Sequence, residues 1–382
     1  MTDVFINNIA AFLPNAPVSN DEMETVLGQV GPRPSRARRI ILRNNRIQSR
    51  YYAIDPVTRK ASHSNAELCA EAIRRLTAGG VALSDIESMA CATSMPDQLM
   101  PAHGSMVHGA LASPPCEVVT TAGVCVSGVS AMKYAYAMVR SGLHNTAVAA
   151  ASEAASSMLR AEHFTGVDGS DDERISELEQ HPEIAFERDF LRWMLSDGAG
   201  AMLLSGSPNR DSISLRLDWI DILSFANEMS ACMYAGAIKN DNGRLIGWRD
   251  VDNSDRQTAL CVSQDVKQLN EHIIPYSVEK TLGQIARLRG LKADDYDFFL
   301  PHFSSGFFES RVAEGLDNIG FSIPKEKWFT NLFTKGNIGS ASMYVILEEL
   351  FHSGRLQRGN KLLCFIPESG RFSSAFIQLT VV

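Results

Sequence analysis

Two distant segments of this 382-residue chain repeat one pattern. CVSGVSAMKYAYAMVRSG starts at Cys125 and NIGSASMYVILEELFHSG starts at Asn337. The same number of residues separates Cys125 from Asn337 as separates Ser141 from Ser353, so the two runs match in length and in their Ser-Gly stop. Each run is rich in helix formers, and glycine just beyond the last turn is a common helix terminator. Each is followed by an apolar strand and an acidic, small-residue turn, AVAAASEAAS and KLLCFIPESG. A second pair precedes them: AEAIRRLTAGGVALSDIESMACATS from Ala70 and LGQIARLRGLKADDYDFFLPHFS from Leu282 both read as helix, acid-bearing loop and strand. Each half opens on a β-rich stretch, VFINNIAAFL and ISLRLDWIDIL, and the first closes at SDGAGAMLL, residues 196–204. This pattern predicts two similar α/β units, residues 1–208 and 209–382, packed as one pseudo-symmetric body. The acidic stretch 162–183 is expected to be a surface excursion, and residues 225–275 to be helical.

A content of 45% hydrophobic and 21% charged residues describes a soluble chain with a large core. No apolar run approaches the ~18 residues of a membrane span, and MTDVFINNIAAFLP lacks the basic start of a secretory signal. Seven scattered cysteines without short spacings point to free thiols in a reducing cytoplasm. A net charge of −8 argues against nucleic acid as the main partner. The basic stretch RPSRARRIILRNNR, residues 33–46, is either a solvated surface or a docking face for an anionic carrier or phosphorylated cofactor. The nine histidines show no ligand spacing, so no metal site is expected.

Three residues suggest chemistry. Cys125 follows the β-branched stretch EVVTTAGV and opens a helix, where unpaired N–H groups and the helix dipole favour a thiolate. A small core cysteine is the plainer alternative. His302 ends the apolar strand in DFFLPHFSSG, and Asn337 starts a helix after Lys-Gly; a satisfied polar residue and an N-cap are their plainer alternatives. Together they supply a nucleophile and two donors for a developing oxyanion. If the halves are related by a pseudo-twofold, Cys125 and Asn337 meet near its axis.

With AGVCVSG, PHF, KGNIGSAS and SDGAGAMLL in place, the chain resembles the thiolase superfamily, most of all β-ketoacyl-acyl-carrier-protein synthase III and its secondary-metabolism relatives. The resemblance implies a five-layered αβαβα fold, usually an obligate homodimer. It also implies an acyl group carried on Cys125, and His302 with Asn337 stabilising the carbanion of a second thioester. Acyl carrier protein or acyl-coenzyme A would deliver the substrates, with no cofactor. By the same resemblance Gly370, Met100 and Phe303 belong to the oxyanion and substrate-binding positions. Met100, before the proline of DQLMPAHGSM, would reach across the dimer and limit acyl length.

The departures point away from acetyl-coenzyme A priming. Phe307 stands where carrier-docking arginine is usual, Gln48 where an arginine contacts coenzyme A, and PESGRFSSA replaces a glycine-rich GGGxxWG. Gly370 still leaves room for backbone donors. PESGRF is similar to ketosynthases that build dialkylresorcinol or cyclohexanedione scaffolds.

Hydrolase readings fit less well. GVCVS is not a GxSxG elbow, and the CGSCW of papain-like enzymes is absent. A hydroxymethylglutaryl-synthase-like reaction would want a glutamate in CATSMPDQ, which offers only Asp97. An acyltransferase of the same fold passing the acyl group to an alcohol or amine, or a non-catalytic ketosynthase partner subunit, are the remaining rivals. Asn337 and Cys125 respectively argue for condensation over them.

Overall fold

A computed structural model describes residues 2–30, 34–35, 37–77, 80–164, 176, 180, 191–253 and 255–382. Nine strands build its main sheet. They are β1 (Phe5–Phe12), β2 (Ser88–Thr93), β3 (Glu117–Ala122), β4 (Thr146–Glu153), β5 (Gly198–Ser205), β6 (Leu215–Ser224), β7 (Phe298–Pro301), β8 (Lys361–Glu368) and β9 (Ser373–Val381). In space they run β7-β8-β9-β6-β1-β5-β4-β2-β3. The first half contributes β3-β2-β4-β5-β1, and the second contributes β7-β8-β9-β6 with a lone parallel bridge from Trp328 to Phe299 where a further strand would stand. The halves meet where β1 pairs with β6 through Phe5 and Ile6. β2 and β4, parallel to each other, are buried along nearly their whole length, as the apolar runs MACA and AVAAA at their centres require.

The helices of nine residues or longer among the described residues are α1 (Ala37–Asn45), α2 (Asn65–Thr77), α3 (His103–Leu111), α4 (Val126–Ser141), α5 (Val266–Ile274), α6 (Thr281–Arg289), α7 (Glu309–Asn318) and α8 (Ser342–His352). α4 packs on strands of both halves, β2 to β5 on one side and β6, β8 and β9 on the other. α8 lies beside it, against β1, β5 and β7. α2 and α3 cover the outer face of the first half, and α6 packs on β9 of the second. The result is five layers with α4 and α8 in the middle.

The middle layer is tight because its residues are small where the helices cross. A Cβ on Gly128 would lie 2.1 Å from the Ser340 carbonyl oxygen, and Tyr344 Oη donates to the Gly128 carbonyl at 2.8 Å. Both Ser-Gly stops end their helices through a left-handed glycine, Gly142 at φ 77° and Gly354 at φ 72°. The starts differ. α4 begins directly after Cys125, whereas a single 3₁₀ turn, Gly339–Ala341, separates Asn337 from α8.

Residues 225–275 depart from the helical expectation. Met233–Tyr234 pairs with Ser263–Gln264, and Ala237–Lys239 pairs with Leu245–Gly247, while helix among the described residues of this range is limited to Arg256–Ala259, α5 and the π-helical turn that begins at Pro275. The cause is local: Asn240 to Gly243 makes a turn, with Gly243 at φ 74°, that folds the chain back on itself. Most of the acidic stretch 162–183 lies outside the described residues. In the basic stretch, Arg38 of α1 pairs with Glu24 at 2.9 Å and Arg46 pairs with Glu309.

Candidate active site

Three chain segments bring Cys125, His302 and Asn337 to one cavity, which encloses about 1020 Å³ including its mouth. Cys125 arrives from β3 by way of Gly123, whose φ of 146° turns the chain into α4. It is half-buried. His302 follows the last residue of β7, and its backbone N–H donates to Phe365 of β8 at 2.8 Å, which locks it at the strand end. Its ring has no hydrogen-bond partner among the described residues. Burial alone pushes the imidazole down to about 4, so it is neutral near pH 7.

Asn337 is held through its backbone. Its N–H donates to Met194 and its carbonyl accepts from Ser196, at 3.0 and 2.8 Å. Its Oδ1 accepts from the Gly339 N–H at 2.9 Å, which leaves Nδ2 as a donor with no partner among the described residues. The rest of the wall is mainly apolar, from Leu191 and Met194 at one side to Ile273 and Val312 at the other.

The electrostatics around Cys125 differ from the sequence expectation. Burial pushes the thiol strongly up, and the carboxylates of Glu368 and Glu153 push it further. The dipole of α4 does not prevail against burial, and Glu368 occupies it as well: Glu368 Oε2 accepts from Val124 N–H at 3.2 Å and Val126 N–H at 3.0 Å. Glu153 lines the cavity and joins the two halves. It accepts from the Ser94 and Ser340 hydroxyls at 2.7 and 2.6 Å and from their backbone N–H groups at 3.0 and 3.2 Å. Burial raises both carboxyls above the ordinary range against these hydrogen bonds. Sequence reasoning assigned neither acid a role. The available signal was the acidic turn after each matched helix, ASEAAS and PESG.

The other sequence candidates divide. Phe303 is buried and lines the cavity. Gly370 lies behind the lining, where a Cβ would meet Val124 Cγ2 at 3.0 Å, and its carbonyl accepts from Cys232 at 2.9 Å. Met100 stands away from this chain's cavity, 85% exposed.

Comparison with known proteins follows this geometry. Residues 287–367 match the family described as 3-oxoacyl-[acyl-carrier-protein (ACP)] synthase III, C-terminal. A β-ketoacyl-[acyl-carrier-protein] synthase III of Sphingopyxis alaskensis is 25% identical over 78% of each chain. Another, from Allorhizobium ampelinum, is 24% identical over 94% of this chain and 93% of its own. Among solved structures, the tetronic acid condensing enzyme AbyA1 aligns over 99% of both chains with a TM-score of 0.74 at 18% identity. OleA of Xanthomonas campestris aligns over 99% of both with a TM-score of 0.73 at 19% identity. Sheet order and the paired central helices give the chain the fold of these solved structures, and along most of its length it is similar to β-ketoacyl synthase III-like condensing enzymes.

Proposed function

We propose that Cys125 takes an acyl group from one thioester and passes it to the α-carbon of a second, with His302 and Asn337 as the donors that make the second step possible. In the first step the Cys125 sulfur bonds the acyl carbon, the donor's C–S bond breaks, and the departing thiol leaves with the proton. In the second, the nucleophilic α-carbon forms when a malonyl-type substrate loses carbon dioxide, or when a β-ketoacyl substrate loses a proton that ends on the Cys125 sulfur as it is released; in the decarboxylative case solvent supplies that proton. It attacks the acyl carbon, a C–C bond forms, and the Cys125 sulfur is released. Negative charge on the second thioester's oxygen needs donors that are not themselves anionic. A neutral imidazole N–H and the free Asn337 Nδ2 suit that need.

The observation that carries the reading is the convergence of these three side chains on one apolar cavity, with the donor atoms of two of them unpaired among the described residues. The apolar wall suits acyl chains, and the structure of OleA from Xanthomonas campestris is described with bound lauric acid and lauroyl-coenzyme A. AbyA1 supports a specialised product in place of housekeeping fatty acid synthesis. The reading includes acyl carrier protein or coenzyme A as carriers and a cytoplasmic homodimer. It also divides the work between residues 1–208, which hold the nucleophile, and 209–382, which hold both donors. No helix among the described residues is long and apolar enough to cross a membrane.

The test separates the two steps. Intact-protein mass after exposure to a panel of carrier-protein and coenzyme A thioesters should show an acyl adduct on wild type and on Asn337→Ala, but not on Cys125→Ala. Product formation by Asn337→Ala should fall roughly 10²–10³-fold, the usual effect of losing one oxyanion donor. Condensation at near wild-type rate in Asn337→Ala would favour acyl transfer to an alcohol or amine instead.

A further inference from the structure

The acid of PESGRF is placed where it governs the nucleophile. Glu368 is the last residue of β8, in the second half of the chain, yet its side chain ends on the first turn of α4 in the first half. One carboxylate oxygen accepts both backbone N–H groups that flank Cys125. No cation pairs with this carboxylate among the described residues. Gly370 packs close by, where a Cβ would stand 3.0 Å from Val124 Cγ2 and 3.3 Å from Glu368 Oε1.

An anion at a helix N-terminus is stabilised by the unpaired N–H groups and the dipole. Two anions competing for one terminus are not stabilised equally. The Glu368 carboxyl is already seated there, its ionised form favoured by the two N–H groups against the burial that opposes it, so a thiolate at Cys125 would form beside a like charge. We propose that Glu368 is a positioning residue for the nucleophile, one that occupies the positive end of α4 and keeps the resting Cys125 a neutral thiol. This inference rests on Cys125 being the nucleophile and adds how its charge is held back.

The remaining groups around the thiol agree with it. Glu153 faces Cys125 from the end of β4 and adds a second like charge. His302 faces the same cavity from the end of β7 and is held neutral by burial, so it supplies no compensating cation. A neutral thiol is slow toward stray electrophiles and oxidants, since the thiolate is the reactive form. Acylation then depends on a thioester seated in the cavity, whose departing thiol takes up the proton.

The test reads the charge of Cys125 without any acyl substrate. The full-length protein is alkylated with iodoacetamide from pH 6 to 10, and the mass of the Cys125 peptide is followed. Glu368→Gln keeps an oxygen for the two N–H groups and removes the charge. Its reactivity profile should move to lower pH by about one unit, which is about tenfold faster alkylation at pH 7. Glu368→Asp keeps the charge and should stay within about threefold of wild type at pH 7. An unchanged profile in Glu368→Gln would make the acid a mere spacer and overturn the proposal. Slower alkylation at every pH would make it a base toward the thiol, which overturns it as well. If Glu368→Gln does not fold, wild type decides: a midpoint at or below the ~8.5 of free cysteine is incompatible with a thiol held neutral. Failure of every thioester to load Cys125 would sink the condensing role and leave this measurement intact.

Discussion

His302 shows how little a residue's identity says about its charge. The strand end and the proline before it place the imidazole, but neither residue removes its water. Buried in the folded protein, the ring sits at about 4, whereas an unfolded chain has histidine near 6.5. Between those values the unfolded chain binds a proton that the folded one refuses. The folded state therefore loses stability as pH falls from about 6.5 toward 4, and the penalty is absent above 6.5. His302→Gln should show a shallower loss over that window than wild type, measured as the denaturant midpoint at a series of pH values. Equal slopes would mean that His302 is charged in the folded protein. Cys125 makes the same point with the opposite group. Its position at the start of a helix was legible from AGVCVSG, but the two carboxylates that set its charge come from Glu153 and Glu368, 28 and 243 residues further on.

At the level of elements, α4 and α8 cross with almost nothing between them. A methyl group on Gly128 would have to displace the Ser340 carbonyl, which is backbone and cannot swing aside. Gly128→Ala should therefore destabilise the protein by about 1–3 kcal/mol, as overpacking commonly does. Gly109 of α3 is the control, because nothing lies within 4 Å of a Cβ there. Gly109→Ala should be neutral or stabilise by up to about 1 kcal/mol through helix propensity. Denaturant unfolding of the two variants side by side checks the pair. Similar effects from both would show that the crossing is loose. The stops of these two helices were readable in sequence, since a glycine that ends a helix does so by local backbone freedom, but their expected equal length was not met: α4 has 16 residues and α8 has 11. The starts were less readable. Asn337 is tied to Met194 and Ser196 across the chain, and that tie holds it ahead of the 3₁₀ turn.

Over the whole molecule, the outermost strand of the first half, β3, is only partly buried, and the loop before α3 leaves Leu99 73% and Met100 85% exposed. In the proposed homodimer Met100 would face the neighbouring subunit's cavity. Met100→Trp should shorten the longest acyl chain loaded onto Cys125 and leave loading of short chains within about twofold, because only the far end of the tunnel is narrowed. The acyl-adduct masses across a chain-length series check this, with sedimentation confirming the assembly. An unchanged series would remove Met100 from the substrate tunnel.

Sequence alone was enough for the order of strands and helices, the thiolase-type layering and the three residues that share a cavity. The two α/β units and their helix stops follow from apolar periodicity and terminal glycines, which act within a few residues, whereas the layering was implied by the family resemblance that the short motifs carry. It misread residues 225–275, where the apolar residues alternate too briefly to distinguish short ribbons from helix and one Asn-Gly turn decides. Tertiary structure alone decided which groups are charged. It brought the acid of PESG onto the helix that carries the nucleophile, and it wrapped His302 in apolar side chains. Both effects are set by distance and burial between segments far apart in the chain, which no local pattern encodes.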